Sequence, residues 1–244
     1  MTGYLRPTAP IAAEALLPGD PGRALGLAQA LLERPRMANH NRGLWGYSGR
    51  TSAGRELTIQ ATGIGGPSVA VVLAELAELG VRRAIRLGTC RALDRSLAGG
   101  ELLSVGEAIA AEGASVALGA ETTTLPDPAL AEALGRLVGS PTIVASADLL
   151  YDPEADARRS DWAAHGARAV EMGSATLFEL GRRLGVAVAS GLVVTRTAAG
   201  TAESLGDAEA ERASLRLGAL AVEVLESVET HSVAASEAAT PRLP

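Results

Sequence analysis

The segment RLGTCRALD (86–94) sets two guanidiniums, Arg86 and Arg91, and the Thr89 hydroxyl around a turn that ends an apolar run. A charged side chain within such a run is costly unless it meets an opposite charge, so Arg86 requires an anion or a carboxylate. Asp94 can partner one of the two arginines, which leaves the other for a ligand. LLPGDPGR (16–23) offers a second anion motif, a turn at Gly19 running into a helix start that carries Arg23. Backbone N–H groups at a helix N-terminus beside a guanidinium attract negative charge. Taken alone, that loop is more simply a turn with a solvated arginine. TGIGGPS (62–68) fails as a dinucleotide fingerprint, because Ser68 stands where the third glycine is needed and no acidic ribose ligand follows. It reads instead as a loop whose backbone comes close to a ligand. VEMGSATLF (170–178) puts Glu171 at a strand end just before a helix. Arginines, glycine turns and a hydroxyl on strand-end loops favour a bound oxyanion such as phosphate.

Those loops need a frame to bring them together. Apolar residues at helical spacing predict a helix over 22–34, stopped by Pro35. LWGYSGR and RELTIQAT flank Thr51–Gly54 as a hairpin. A helix then runs to Leu79 with Val69, Val72, Leu73 and Leu76 on one stripe, Pro67 in its first turn and Gly80 at its C-terminal cap. RRAIRLG follows as a strand buried on both faces. Further strands are expected at 101–110, 141–147, 167–172 and 186–195, and helices at 128–138, 154–165, 174–184 and 207–228. Alternating strands and helices predict a single α/β domain over 1–229, a three-layer α/β/α arrangement with a central mixed sheet and a parallel run at its centre. Such sheets bind ligands beyond the carboxyl ends of their strands. The stretch 230–244 reads as a disordered tail.

Composition narrows the chemistry. The chain has 244 residues, 47% of them hydrophobic, and a net charge of −6, which argues against nucleic-acid binding. All of the 22 basic side chains are arginine, so Schiff-base lysine and Walker-type phosphate chemistry are excluded. Cys90 is the single cysteine, so no intramolecular disulfide forms, in keeping with a cytoplasmic location. No signal peptide or membrane span is read, and the apolar run SVAVVLAELAELGV is broken by Glu75 and Glu78. His40, His165 and His231 are scattered, and no HExxH, paired-cysteine or GxSxG pattern occurs.

LLPGDPGR, TGIGGPS, RLGT, SADLLYDP (146–153) and VEMGSATLF, in this order and spacing, resemble the nucleoside phosphorylases of the uridine phosphorylase and hexameric purine nucleoside phosphorylase type. The similarity runs from about residue 16 to about residue 225. EMGSATL, TGIGGPS and the TRT of 195–197 lean toward the uridine branch, SADLLYDP toward the purine branch. The resemblance implies exchange of a nucleoside base for inorganic phosphate, with no cofactor and no metal. It implies a homo-oligomer, a hexamer built from dimers. Phosphate ligands would be Gly19, Arg23, Arg86 and Thr89, with Arg42 given by the neighbouring subunit. Glu171 and Met172 would face the ribose, and Leu150, Tyr151 and Arg196 the base. A positioned dianion both attacks the sugar and offsets oxocarbenium charge, and the arginine fork suits it.

Four positions depart from the family pattern. Arg91 stands where relatives carry glycine, and Gly173 where they carry the glutamate that holds the ribose hydroxyls. Tyr4 falls in the region where they supply a histidine to the partner's sugar site. DPEADAR (152–158) replaces a glutamine–arginine pair that reads uracil. In addition, Gly43 replaces a glutamate that can hold a monovalent cation, so no such ion is expected. Arg91 either occupies part of the sugar pocket, favouring an anionic or unusual ligand, or turns outward to Asp94 or Glu171. Loss of the glutamate would cost about 2–4 kcal/mol of transition-state binding, on the order of 10²–10³ in rate. The alternative is therefore a relative that binds phosphate or a metabolite without turnover. A nucleosidase that uses water is disfavoured by the arginine cradle, and a dinucleotide-binding reductase is more distant still.

Overall fold

The computed structural model describes residues 3–198 and 204–228. The expected tail at 230–244 lies outside the described residues. Strand β1 (Glu14–Pro18) leads into helix α1 (Pro21–Leu31), followed by β2 (Glu33–Asn39), β3 (Gly46–Arg50) and β4 (Glu56–Gln60). Helix α2 (Gly66–Glu78) precedes β5 (Arg83–Ala92) and β6 (Leu102–Ala111). Then come α3 (Gly113–Ala117), β7 (Thr123–Thr124), α4 (Pro128–Val138) and β8 (Thr142–Ala147). The chain finishes with α5 (Ala155–Ala164), β9 (Ala169–Glu171), α6 (Ser174–Leu184), β10 (Ala187–Arg196) and α7 (Asp207–Ser227).

The sheet is mixed. Strands β4, β1, β5 and β10 form the parallel run at its centre. Beyond it, β10 pairs antiparallel with β6, β6 parallel with β8, β8 parallel with β9, and β9 antiparallel with β5. Those five strands therefore close on themselves, and the strand ends of β5, β9 and β10 meet at one mouth.

Helices cover both faces. The stripe Val69, Val72, Leu73 and Leu76 of α2 is fully buried with Phe178 of α6 in one apolar cluster. Leu27 of α1, Leu134 of α4 and Leu217 of α7 fill the other cluster on the opposite side. Burying each such side chain stabilises by roughly 1.5–3 kcal/mol, and this holds the layers together.

The sequence reading erred at the first helix. Helix α1 ends at Leu31, and Pro35, expected to stop a helix, lies inside β2. A proline lacks the N–H that an interior strand must donate, but β2 is the last strand of the sheet path and pairs only with β3. The register also slips between Glu33 and Arg36, where Arg34 has φ 48°, so the proline sits at an irregularity. Short α3 and β7 were not foreseen.

Candidate active site

Two of the loops are laced together by backbone. Thr62 donates to the Pro18 carbonyl (2.9 Å) and Gly63 to that of Gly19 (3.0 Å). Gly63 must be glycine: its φ is 76°, and a Cβ there would lie 2.4 Å from Ser68 Oγ. That hydroxyl in turn donates to the Thr62 carbonyl and fixes the turn. Asp20 caps α1 by accepting from the Arg23 N–H at 2.8 Å, which sets Arg23 on the first turn of the helix.

Strand β5 carries two buried arginines three residues apart, and the fold assigns them different tasks. Arg83 donates its terminal nitrogens to Glu14 and to the carbonyls of Leu225 and Val228, at the C-terminal end of α7. Arg86 has one partner, Glu171 Oε2, at 3.3 Å, and its Nε and Nη1 are buried without any. Gly88 leaves space for this: a Cβ there would meet Leu192 at 2.7 Å and the Arg86 guanidinium at 3.5 Å.

Gly19, Arg23, Gly63, Arg86, Thr89 and Met172 line one cavity of about 440 Å³. Burial pushes the Arg23 guanidinium below its usual range, Asp20 partly offsets this, and the charge of Arg86 adds to the lowering. Like charges facing one space with unused N–H groups define an oxyanion cradle. Four of the five expected phosphate ligands are thus brought together in one chain.

The fifth is elsewhere. Arg42, in the turn between β2 and β3 with φ 57°, lies over the Tyr4 ring at 4.6 Å and lines neither chamber. Asn41 Nδ2 donates to the Tyr4 carbonyl at 2.8 Å. The two residues expected to serve a neighbouring subunit are therefore held side by side.

A second chamber of about 300 Å³ adjoins the first, sharing Ile64, Thr89 and Met172. Leu150 and Arg196 line it as expected, with Leu149 and Trp162. Tyr151 does not; it is 82% exposed. Arg91 also lines it and makes no pair with Asp94, which binds Arg168 Nε at 2.8 Å. The Ser96 backbone N–H, followed by Arg168, holds the Asp94 carboxyl down at about 2. Arg159, on α5, also faces this chamber and was missed in the sequence. Its only signal there was the helical spacing from Asp152 and Ala155, which also line it.

Glu171 lies at the chamber wall, but its carboxylate is occupied. Oε1 accepts from Ser146 Oγ, Gly173 N (3.0 Å) and Ser174 N (2.8 Å), and Oε2 from Arg86 and Gly173 N. Its side chain is fully buried. Glu171, expected to face the ribose, thus anchors Arg86 and the start of α6 through both of its oxygens. Gly173 lines neither chamber; a Cβ there would meet Val69 at 3.0 Å and Arg86 at 3.6 Å.

The fold is a single α/β domain with buried arginines at its strand ends and a largely apolar chamber beside them. Comparison with known proteins specifies the family. The family model of the phosphorylase superfamily matches residues 15–226. A DeoD-type purine nucleoside phosphorylase of Clostridium novyi is 30% identical over 234 residues, covering 88% of this chain and 95% of that one. Its Clostridium perfringens counterpart is 34% identical over 188 residues, covering 72% and 78%. The uridine phosphorylase structure of Vibrio fischeri ES114 superposes with a TM-score of 0.81 at 26% identity, covering 89% of this chain and 93% of that one. The chain belongs to the phosphorylase superfamily, with nucleoside phosphorylases of both branches among its relatives. No helix among the described residues is long and apolar enough to cross a membrane.

Proposed function

We propose that the protein cleaves a nucleoside with inorganic phosphate, releasing the base and forming a pentose 1-phosphate. The observation that carries this reading is Arg86, buried at the cradle with two N–H groups unused, opposite Arg23 and beside Thr89. Phosphate in the 440 Å³ cavity would lie against Met172 and Ile64, which also border the chamber for the sugar and base. The dianion then supplies both the nucleophilic oxygen and compensation for oxocarbenium charge. Arg196 at the far side would stabilise negative charge on the departing base. A uridine-like substrate follows from Arg196 in TRT, and a hexamer built from dimers, with Arg42 reaching a neighbour's cradle, follows from the family resemblance.

A second reading is favoured by one observation. With Gly173 in place of an acid and both Glu171 oxygens accepting hydrogen bonds, no lining carboxylate among the described residues is without a partner for the ribose hydroxyls. A relative that binds phosphate but turns over slowly, or not at all, would have this site. A screen of nucleosides with and without phosphate separates the two. Base release that depends on phosphate supports phosphorolysis; phosphate binding with no turnover of any nucleoside supports the second reading, and base release without phosphate refutes both.

A further inference from the structure

The second chamber contains more positive charge than a neutral base requires. Arg91 and Arg196 are direct partners in the β5–β10 register, so two like charges sit side by side on adjacent strands. Such a pair is unfavourable unless something offsets it. Arg159 adds a third guanidinium from α5 across the same space. Burial, followed by the charges of Arg159 and Arg196, pushes the Arg91 guanidinium below its usual range.

Among the described residues, the carboxylates that line or flank the chamber already have partners. Asp152 pairs with Arg158 at 2.8 Å, and Glu171 is saturated by Arg86, Ser146 and the backbone of α6. Asp156 is 3.5 Å from Arg159 but fully exposed to water, where an ion pair contributes little. Among the described residues Arg91 and Arg196 have no side-chain hydrogen bond or ion pair. Much of the rest of the wall is apolar, with Leu149, Leu150, Trp162 and Val170, and Thr89 and Thr195 add hydroxyls. A flat ring with one charged edge matches such a lining. At about 300 Å³ the chamber is at the small end of ligand pockets and suits a base rather than a phosphate chain.

We infer that this chamber is built for a base bearing its own negative charge, a carboxylated or readily ionised heterocycle, gripped by Arg91, Arg159 and Arg196. The inference rests on the phosphorolysis reading only in naming the ligand a nucleobase. Charge-assisted hydrogen bonds are about twice as strong as neutral ones, so a carboxylate should gain about tenfold or more in affinity.

Calorimetric titration of the full chain at saturating phosphate, with uracil, uracil-5-carboxylate and uracil-6-carboxylate, tests it. One carboxylated base should bind at least about tenfold tighter than uracil, and added salt should erode that advantage. Arg159→Gln, on an exposed helix, should cut the advantage about tenfold, and Arg91→Gln should do the same. Equal binding of all three bases overturns the inference. A second equivalent of inorganic phosphate that competes with the carboxylated base also overturns it, assigning the cluster to free phosphate. If carboxylated bases bind tightly but no nucleoside is cleaved, phosphorolysis fails and the charged-base chamber stands. If neutral nucleosides are cleaved while carboxylated bases are ignored, the reverse holds.

Discussion

Arg86 Nη2 donates to Glu171 Oε2 across 3.3 Å, and neither side chain reaches solvent to any extent. The pair links β5 to the start of α6 and holds Arg86 at the wall of the cradle. Breaking a buried pair from one side strands a charge. Glu171→Gln should therefore lose about 3–5 kcal/mol in urea unfolding. Saturating phosphate should recover part of this, about 2.7 kcal/mol at a hundredfold excess over its Kd.

The two buried arginines of β5 should separate cleanly in mutagenesis. Arg86→Ala should abolish measurable phosphate binding, whereas Arg83→Ala, which does not line the cradle, should lower the melting temperature and leave phosphate affinity within about twofold. Arg23→Ala, at a half-buried helix start, should weaken phosphate by about 1.5–3 kcal/mol without unfolding the chain. Unchanged affinity in Arg86→Ala would remove the cradle from consideration.

Restoring the family pattern needs room. Arg91→Gly with Gly173→Glu should raise turnover of neutral ribonucleosides by on the order of 10². A Cβ added at position 173 would lie 3.0 Å from Val69 Cγ2, so adding Val69→Ala should improve the double variant. Steady-state kinetics on the double and triple variants checks both statements.

Arg42 and Tyr4 stack 4.6 Å apart, away from their own chain's chambers. If Arg42 serves a neighbour, Arg42→Ala and Arg86→Ala preparations, each inactive, should regain activity when unfolded and refolded together. Mixed oligomers would then hold some cradles with both arginines intact. No gain in the mixture counts against sharing.

Burial raises the Glu112 carboxyl, opposed by hydrogen bonds from Thr176, and its Oε2 has no partner. The folded chain thus holds this proton to higher pH than the unfolded chain does. Stability should fall as pH rises from the ordinary glutamate value through the raised one and then level off. Glu112→Gln should flatten that slope in melting curves taken across the range.

Much of the frame was legible because it rests on local rules. The stripe of α2, its cap at Gly80 and the β5 run follow from side-chain period and turn chemistry, which neighbours in sequence settle between themselves. The loops of the cradle could be named because strand ends are where such sheets open, and the family resemblance supplied the individual ligands. What the linear order could not carry was pairing. Nothing local distinguishes Arg83, bound to the carbonyls at the end of α7, from Arg86, three residues on and half unsatisfied. Asp94 was near Arg91 in sequence yet went to Arg168, 74 residues away, because β5 and β9 run antiparallel there. Arg159 entered the chamber, and Glu171 paired with Arg86, through contacts between distant segments. A guanidinium's role is fixed by which opposite charge reaches it first, and only the packed sheet and helices decide that.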